Sequence, residues 1–427
     1  NTAVGADSLD ATTTGSYNTA LGAASLSGNT TGAENTAVGF RSLLSNTTAS
    51  GNTGLGYTAL QSNTTGAGNT ASGFEALKVN TTGNNNTASG YQALKNNSTA
   101  SRNTAVGTST LLANTTGTLN VGLGSYALRF NTTGGENTAV GDAALYANTT
   151  GEYNTAVGRT ALEANTSGDN NTAVGRLALG ANTTGGNNTA TGFQALRLNT
   201  TGNANAAFGL YAMLYNTTGV QNVAVGQSAL ESNTTANSNT AVGYQALKAN
   251  TTGFDNNGTG HHALFSNTTG RRNVGMGNAA LYSSVSGNNN TCIGHQTGHY
   301  TTPTTTGGQN TLIGAYCHTS ASNSVYATGI GYNLSAAAGY TTLGETTLDI
   351  RAAHGNVTWA TVSDERYKKD ITTSTAGLSV INALRPVTWN YKTHGELPTT
   401  FNAYEEGSTK VFKNTQTNHG FIAQEVK

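Results

Sequence analysis

Asn followed four residues later by Gly occurs at Asn1/Gly5, Asn18/Gly22, Asn35/Gly39 and Asn52/Gly56, and it recurs without a slip to Asn290/Gly294. This gives eighteen units of seventeen residues with the consensus N-T-A-V-G-x-x-A-L-x-x-N-T-T-G-x-x. Position 9 is Leu in sixteen units, Met213 in one and Gly298 in the last, and position 8 is always Ala, Ser or Thr. A short fixed period of this kind means that each unit completes its buried side only against its neighbours, so the chain must stack.

Composition decides what is stacked. Asn, Thr and Gly are poor helix formers, which argues against a helical repeat. No proline precedes Pro303, as an uninterrupted hydrogen-bonded ladder requires. Positions 2–4 (T-A-V) suit a short strand. The fold class expected is all-β: a repetitive β-solenoid or β-roll fibre shaft. Val4 and Leu9 have opposite parity, so on one flat strand they would face opposite sides. If both are buried the chain bends between them, and Gly5 and Gly15 are the residues expected to take φ > 0 at corners. Stacking aligns Asn1 with Asn18 and Thr13 with Thr30 in polar ladders. With Val4 and Leu9 as the main core residues, each unit gains roughly 1.5–3 kcal/mol from each of them. Ordering seventeen backbones costs on the order of 17–34 kcal/mol. A single column therefore looks short of core, and several chains sharing an axis, as a homotrimer, would supply it. Coils stacked within one chain would rise about 4.8 Å each, or roughly 86 Å for eighteen, whereas an intertwined spiral would be longer.

The same composition excludes other classes. Only 9% of residues are charged, against about 25% in ordinary domains. Twenty basic and twenty acidic residues cancel, so no long-range field draws nucleic acid or an anionic membrane. No run of eighteen apolar residues exists for a membrane-spanning helix. The sequence begins inside a repeat unit and shows no leader, which reads as part of a longer chain. Two cysteines, Cys292 and Cys317, are too few for a disulfide scaffold.

The repeat resembles two known arrays. N-T-A-V-G is similar to the N-S-V-A-I-G-type motif in the head domains of trimeric autotransporter adhesins, which are left-handed parallel β-rolls with a different repeat length. Over about 300 residues the chain resembles still more the N-T-A-x-G-x-x-A-L-x-x-N-T-T-G arrays of tail-fibre-domain proteins from phages, bacteria and large viruses.

Beyond Tyr300 the rhythm loosens. The insertion TTPTTTGG stretches one unit to twenty residues before Asn310, and Gly314, Gly331 and Gly344 suggest two or three degenerate coils. Residues 345–362 read as short strands forming a neck. The division expected is a shaft over 1–306, degenerate repeats and neck over 307–362, and a small α+β domain over 363–427. In that last segment fifteen of 65 residues are charged, against 25 of the preceding 362. Leu378–Leu384 fits a short helix ended by Pro386. VTWNY (387–391) reads as a strand, and GFIAQEV (420–426) as a strand running into a helix.

Three ordered motifs, SDERYKKDI (363–371), GLSVINALRPVTWNY (377–391) and GFIAQEV, resemble the C-terminal intramolecular chaperone domain of phage endosialidases, tailspikes and tail fibres. That resemblance implies a cap that trimerises three chains and, in many members, cuts itself off before the serine of S-D-x-R-x-K. Here the bond would be Val362–Ser363, with Ser363 as nucleophile and Lys368 as general base. The family's downstream helices are absent from 363–427. A serine hydroxyl needs a base to become nucleophilic, and a lysine serves only if burial or neighbouring charge lowers its pKa. Lys369 and Arg366 push Lys368 that way, while Asp364, Glu365 and Asp370 oppose it. A solvated charged turn with Ser363 capping the following helix is the alternative. The chemistry expected is at most single-turnover autoproteolysis, with no external substrate.

Other constellations carry less. GLG (54–56) and GMG (275–277) fall on the repeat frame, without the strand–helix setting of a nucleotide loop. Cys292, His295, His299 and the pair Cys317-His318 have ligand types that bind zinc. The two cysteines, however, occupy the small-residue positions 3 and 8 and read as alanine substitutes. His261-His262 lies at the variable positions 6 and 7. No metal and no cofactor is therefore expected. The N-T-T triplets match the N-glycosylation pattern, but ladders explain them better. Aromatics at positions 6 and 7 (Phe74, Tyr91, Phe193, Tyr244) could bind sugars or pack between coils.

The function expected is the structural shaft of a phage tail fibre used in host attachment, located in the virion tail or on an extracellular surface. Its partners would be two further copies of itself and a host-cell receptor, a glycan among the candidates, with no nucleic acid and no membrane insertion. A bacterial adhesin or filament with the same shaft is the alternative. A glycosidase domain finds no paired carboxylates on a visible scaffold in this sequence.

Overall fold

The computed structural model describes residues 1–299, 301–346, 348–355, 360–361, 387–390, 392–399, 404–411 and 418–420, with backbone only for the strand residues 360–361, 387–389 and 418–420. The chain divides into two compact units, Asn1–Val362 and Ser363–Lys427.

In the first unit one repeat forms one coil. Positions 2–4 make a three-residue strand in each coil, from Thr2–Val4 to Thr291–Ile293. Each strand pairs in parallel with the next at a shift of seventeen residues, as Thr155 with Thr172 and Val157 with Val174. The stack is therefore wound from a single chain. It runs through the twenty-residue unit, where Thr291–Ile293 pairs with Thr311–Ile313. It continues through Thr328–Tyr332 and Tyr340–Glu345, still in parallel. The direction then reverses: Leu348–Ala353 runs antiparallel to Tyr340–Glu345, and Ala360–Thr361 antiparallel to Leu348–Ala353. About twenty steps of about 4.8 Å give the parallel stack a length of roughly 95 Å.

Hydrogen bonding between coils is not confined to the strands. The N–H groups of Gly22, Ala24 and Leu26 bond the carbonyls of Val4, Ala6 and Ser42, and that of Glu34 bonds Ser16. Thr30 N–H and its hydroxyl both donate to the Thr47 carbonyl of the next coil. A coil thus satisfies its polar backbone on the coils above and below, which lets so glycine- and asparagine-rich a chain close a column.

The core differs from the sequence expectation at one position. Leu9 is partly buried and packs on the core, and its equivalents from Leu26 to Leu281 are fully buried. The fourth position is not buried: Val157 is 36% exposed and Ile330 44%. Its place is taken by the alanines at positions 3 and 8, such as Ala156 and Ala161. The bend at Gly5 exists, with φ near 131°, but it lets Val4 face out and Leu9 face in. Leu9 reaches the core from the left-handed region (φ 54°), as do its equivalents, and positions 7 and 17 also take positive φ with non-glycine residues such as Arg41 and Glu34.

Gly15 and its equivalents follow a different reason from the expected one. They do not take positive φ; instead a Cβ at Gly32 would overlap the carbonyl oxygen of Ala49 and crowd the Asn29 side chain. Ala49, Ala100 and Ala236 occupy the same position elsewhere, so no left-handed conformation is needed there and the close approach gives way enough in those coils to admit a methyl group.

Two asparagine ladders complete the interior. At position 1, Asn35 N–H donates to Asn18 Oδ1 at 3.0 Å and Asn35 Nδ2 donates to the Ala49 carbonyl at 2.9 Å. The pattern runs unbroken to Asn310, whose Nδ2 donates to Asn290 Oδ1 across the insertion. At position 12, Asn165 Nδ2 donates to Asn148 Oδ1 at 2.9 Å and to the Gly168 carbonyl at 3.0 Å. This second ladder ends where Ser284 replaces Asn: the Asn267 Oδ1 and Ser284 Oγ atoms are buried without a partner.

The second unit is described in part. Val387–Trp389 pairs antiparallel with Asn418–Gly420, and Thr393 bridges Val411. A single 3-10 turn, His394–Glu396, is closed by Thr393, whose N–H and hydroxyl both donate to Glu396 Oε2. Those two bonds hold the Glu396 carboxyl below its ordinary range. The helix expected over 378–384 lies outside the described residues.

Candidate functional site

Ser363 and Lys368, the two residues expected to carry chemistry, lie outside the described residues, as does Val362. The shaft surface can be read coil by coil.

Many of its aromatic residues pack on one another. Phe40, Tyr57, Phe74 and Tyr91, all at position 6, form a column with ring centroids 5.5, 5.1 and 5.3 Å apart and planes within 20° of parallel. Phe265 and Tyr282 repeat this at position 10, 4.9 Å apart. A sugar ring is gripped by an aromatic face, and within these columns the faces are taken by neighbouring coils. Packing between coils is therefore the role the geometry assigns to Phe74, which meets a ring on each side, while Tyr91 closes the column and packs on Phe74.

Charged residues also work between coils. Glu75 accepts from Lys78 Nζ and Lys95 Nζ, each at 2.7 Å, and from Gln92 Nε2 at 2.9 Å. Burial pushes its carboxyl up, but the three hydrogen bonds outweigh this and bring it down to about 2. The arrangement is a staple across one coil step. A polar cleft of about 440 Å³ lies beside Arg271 and Arg272, lined also by Asn288 and Asn289. Arg271 lies over the Phe254 ring at 5.0 Å, and Arg272 Nε is 3.7 Å from Asp255.

The cysteines and histidines stand apart in role. Cys292 and Cys317 are both fully buried, in the columns that hold alanine at positions 3 and 8. Burial pushes the Cys292 thiol well up and that of Cys317 up to about 12, so both stay protonated and are poor metal ligands. His299 Nδ1 lies 2.9 Å from Ser283 Oγ, and burial lowers its pKa. His262 Nε2 lies 2.9 Å from Gln245 Oε1, with its pKa lowered first by burial and then by His261 and Lys248. Among the described residues no group of three or more His, Cys, Asp or Glu is placed to hold a metal ion. The N-T-T asparagines are fully buried from Asn29 to Asn267, with their amides bonded inside the stack, so these triplets are ladder residues and not exposed acceptors. Among the described residues no helix is long and apolar enough to cross a membrane.

Sequence reasoning missed the outward strand face, because it counted Val4 as core. The signal was present: the residue at position 3 is as invariably small as that at position 8, as tight packing beneath a stacked strand demands.

A charge-poor solenoid whose polar and aromatic groups mostly serve adjacent coils defines a class, the structural β-fibre. Comparison with known families then speaks for the other end of the chain. The family model described as the chaperone of endosialidase matches residues 363–427. Neither the curated proteins nor the solved structures give a match. The C-terminal match and the seventeen-residue solenoid together fit a tail-fibre protein with a C-terminal chaperone domain and support a phage tail-fibre-like structural role.

Proposed function

We propose that this chain is the shaft of a phage tail fibre used in host attachment, and that its C-terminal domain aligns three copies and then cuts itself off at Val362–Ser363. Residues 1–306 act as the shaft, 307–362 as degenerate coils and neck, and 363–427 as the chaperone. One observation carries the reading. The chaperone match begins at Ser363, the residue at which the second compact unit begins and before which the family's serine motif places the cut.

The repeat gives such a domain something to do. Coils of nearly one sequence can pair between chains out of step by one coil at little cost, because the same side chains meet again seventeen residues on. A domain without a repeat provides the single alignment from which three shafts start level.

Cleavage follows from ordinary acyl chemistry. Lys368, neutral, takes the Ser363 hydroxyl proton as Oγ attacks the Val362 carbonyl carbon. The Val362–Ser363 C–N bond breaks, the freed Ser363 amine takes up a proton, and an ester joins Val362 to Ser363 Oγ. Water hydrolyses that ester, leaving a shaft that ends in the Val362 carboxylate. The test is the denatured intact mass of freshly produced protein. A species ending at Val362, lost in Ser363→Ala and in Lys368→Ala, is expected. A single uncut mass in the unsubstituted protein would refute self-cleavage.

A further inference from the structure

Every coil of the stack turns the residues at positions 2 and 4 outward, and this face carries no charged residue from Thr2 and Val4 to Thr328 and Ile330. Position 4 is Val, Leu, Ile, Met or Phe in most coils and Ser or Thr in the others. The parallel register stacks these side chains directly on one another, as Val157 on Val174 and Met276 on Ile293. The shaft's charges sit elsewhere on the coil, at positions 6, 7, 10, 16 and 17, as in Asp142, Glu75, Lys95, Glu152 and Glu34. A single exposed aliphatic residue is ordinary on a protein surface, but an unbroken uncharged stripe along a whole shaft is not.

We infer that this face is the seam along which further copies of the same chain dock, with identical coils level. The inference rests on the trimeric reading above and adds to it the surface that makes the trimer. Three observations select a second copy as the occupant. The face measures about 95 Å by about 10 Å, so it offers about 900 Å², close to the roughly 800 Å² that one partner gives to a stable interface. It repeats at the strand spacing, and a surface with the same repeat, which another copy supplies, matches it at every coil. Its bulk is also levelled: where Phe208 widens position 4, Ala206 replaces threonine at position 2 of the same strand.

The test uses the full chain with single cysteines. Val157→Cys and Val174→Cys lie on the seam, and Ser167→Cys lies in the same coil as Val157 at an exposed site off it. Cys292 and Cys317 are buried and stay silent. Mass in solution is measured first, then disulfide-linked chains after mild oxidation. A trimer in which the two seam variants link, each to the same residue of its neighbour, and Ser167→Cys does not, is the expected result. A trimer in which Ser167→Cys links and the seam variants do not overturns the seam and leaves the trimer standing. A monomeric unsubstituted protein overturns both. As a second arm, Val157→Lys with Val174→Lys is expected to reduce the solution mass threefold with the far-ultraviolet dichroism of the coils retained, whereas Ser167→Lys keeps the trimer. Seam lysines that leave a trimer of the cut chain ending at Val362 would count against the seam.

Discussion

Residues 1–306 write one coil eighteen times with few charges, whereas residues 363–427 contain no repeat and carry fifteen charges in 65 residues. In the shaft every interaction is defined relative to the next coil: Asn35 bonds Asn18 as Asn188 bonds Asn171. Such a code specifies a local shape very firmly and a position along the fibre not at all. Within one chain, connectivity supplies the missing position. Between chains nothing in the repeat does, and only a segment that occurs once can. The contrast teaches that repetition and alignment are separate problems, which the reading proposed above places in separate parts of the chain.

Removing 363–427 should break this division most severely. The remaining 1–362 is expected to give coils with normal dichroism but a spread of masses and much insoluble protein, read by sedimentation velocity. A soluble, uniform trimer would show that the shaft aligns itself. Next in size is Leu162→Ala, which empties a fully buried site in mid-stack and should cost about 2–5 kcal/mol in denaturant unfolding. Asn165→Ala should cost about 1–3 kcal/mol, because it orphans the buried Asn148 Oδ1, and amide exchange should quicken in the coils on either side. Ser284→Asn sharpens the comparison in the other direction. It offers an amide to the orphaned Asn267 Oδ1 and extends the ladder by one coil, with a gain of about 1 kcal/mol.

The smallest effect expected is one of pH. The Glu75 carboxyl is lowered from 4.5 to about 2 in the fold, so its contribution is fully present above pH 4.5 and fades as pH falls towards 2. Glu75→Gln should therefore flatten the loss of thermal stability over that interval and leave the neutral-pH slope unchanged.

The shaft was legible because a period is visible without knowing what it buries. The length of the coil, the strand at positions 2–4, the bend at Gly5 and the alignment of Asn1 with Asn18 all follow from spacing. Which side chains turn inward does not. Val4 looks like core by hydropathy, but the chain reverses through left-handed residues at positions 7 and 9, and these are Arg41 or Leu43 as readily as glycine. Hydropathy also undercounts this interior, where fully buried asparagines contribute hydrogen bonds in place of apolar area. The core deficit that hydropathy alone implies is met largely by the small residues at positions 3 and 8, such as Ala173 and Ala178, and by the two ladders. What points to partners instead is the aliphatic face left outside. Ser363 and Lys368 were legible only through motif resemblance, since neither spacing nor charge separates a catalytic dyad from a capped, charged turn.

The claim beneath all of this is that seventeen residues make one closed coil. Deleting 171–187 removes one whole coil, while deleting 171–186 leaves one coil of eighteen residues in mid-stack, whose surplus residue interrupts the asparagine, alanine and leucine columns at that coil. Thermal unfolding of the two proteins, followed by dichroism, compares them directly. A whole-coil deletion that melts within a few degrees of the parent, beside a sixteen-residue deletion that loses cooperative unfolding or solubility, is the predicted result. Equal behaviour of the two would contradict the account.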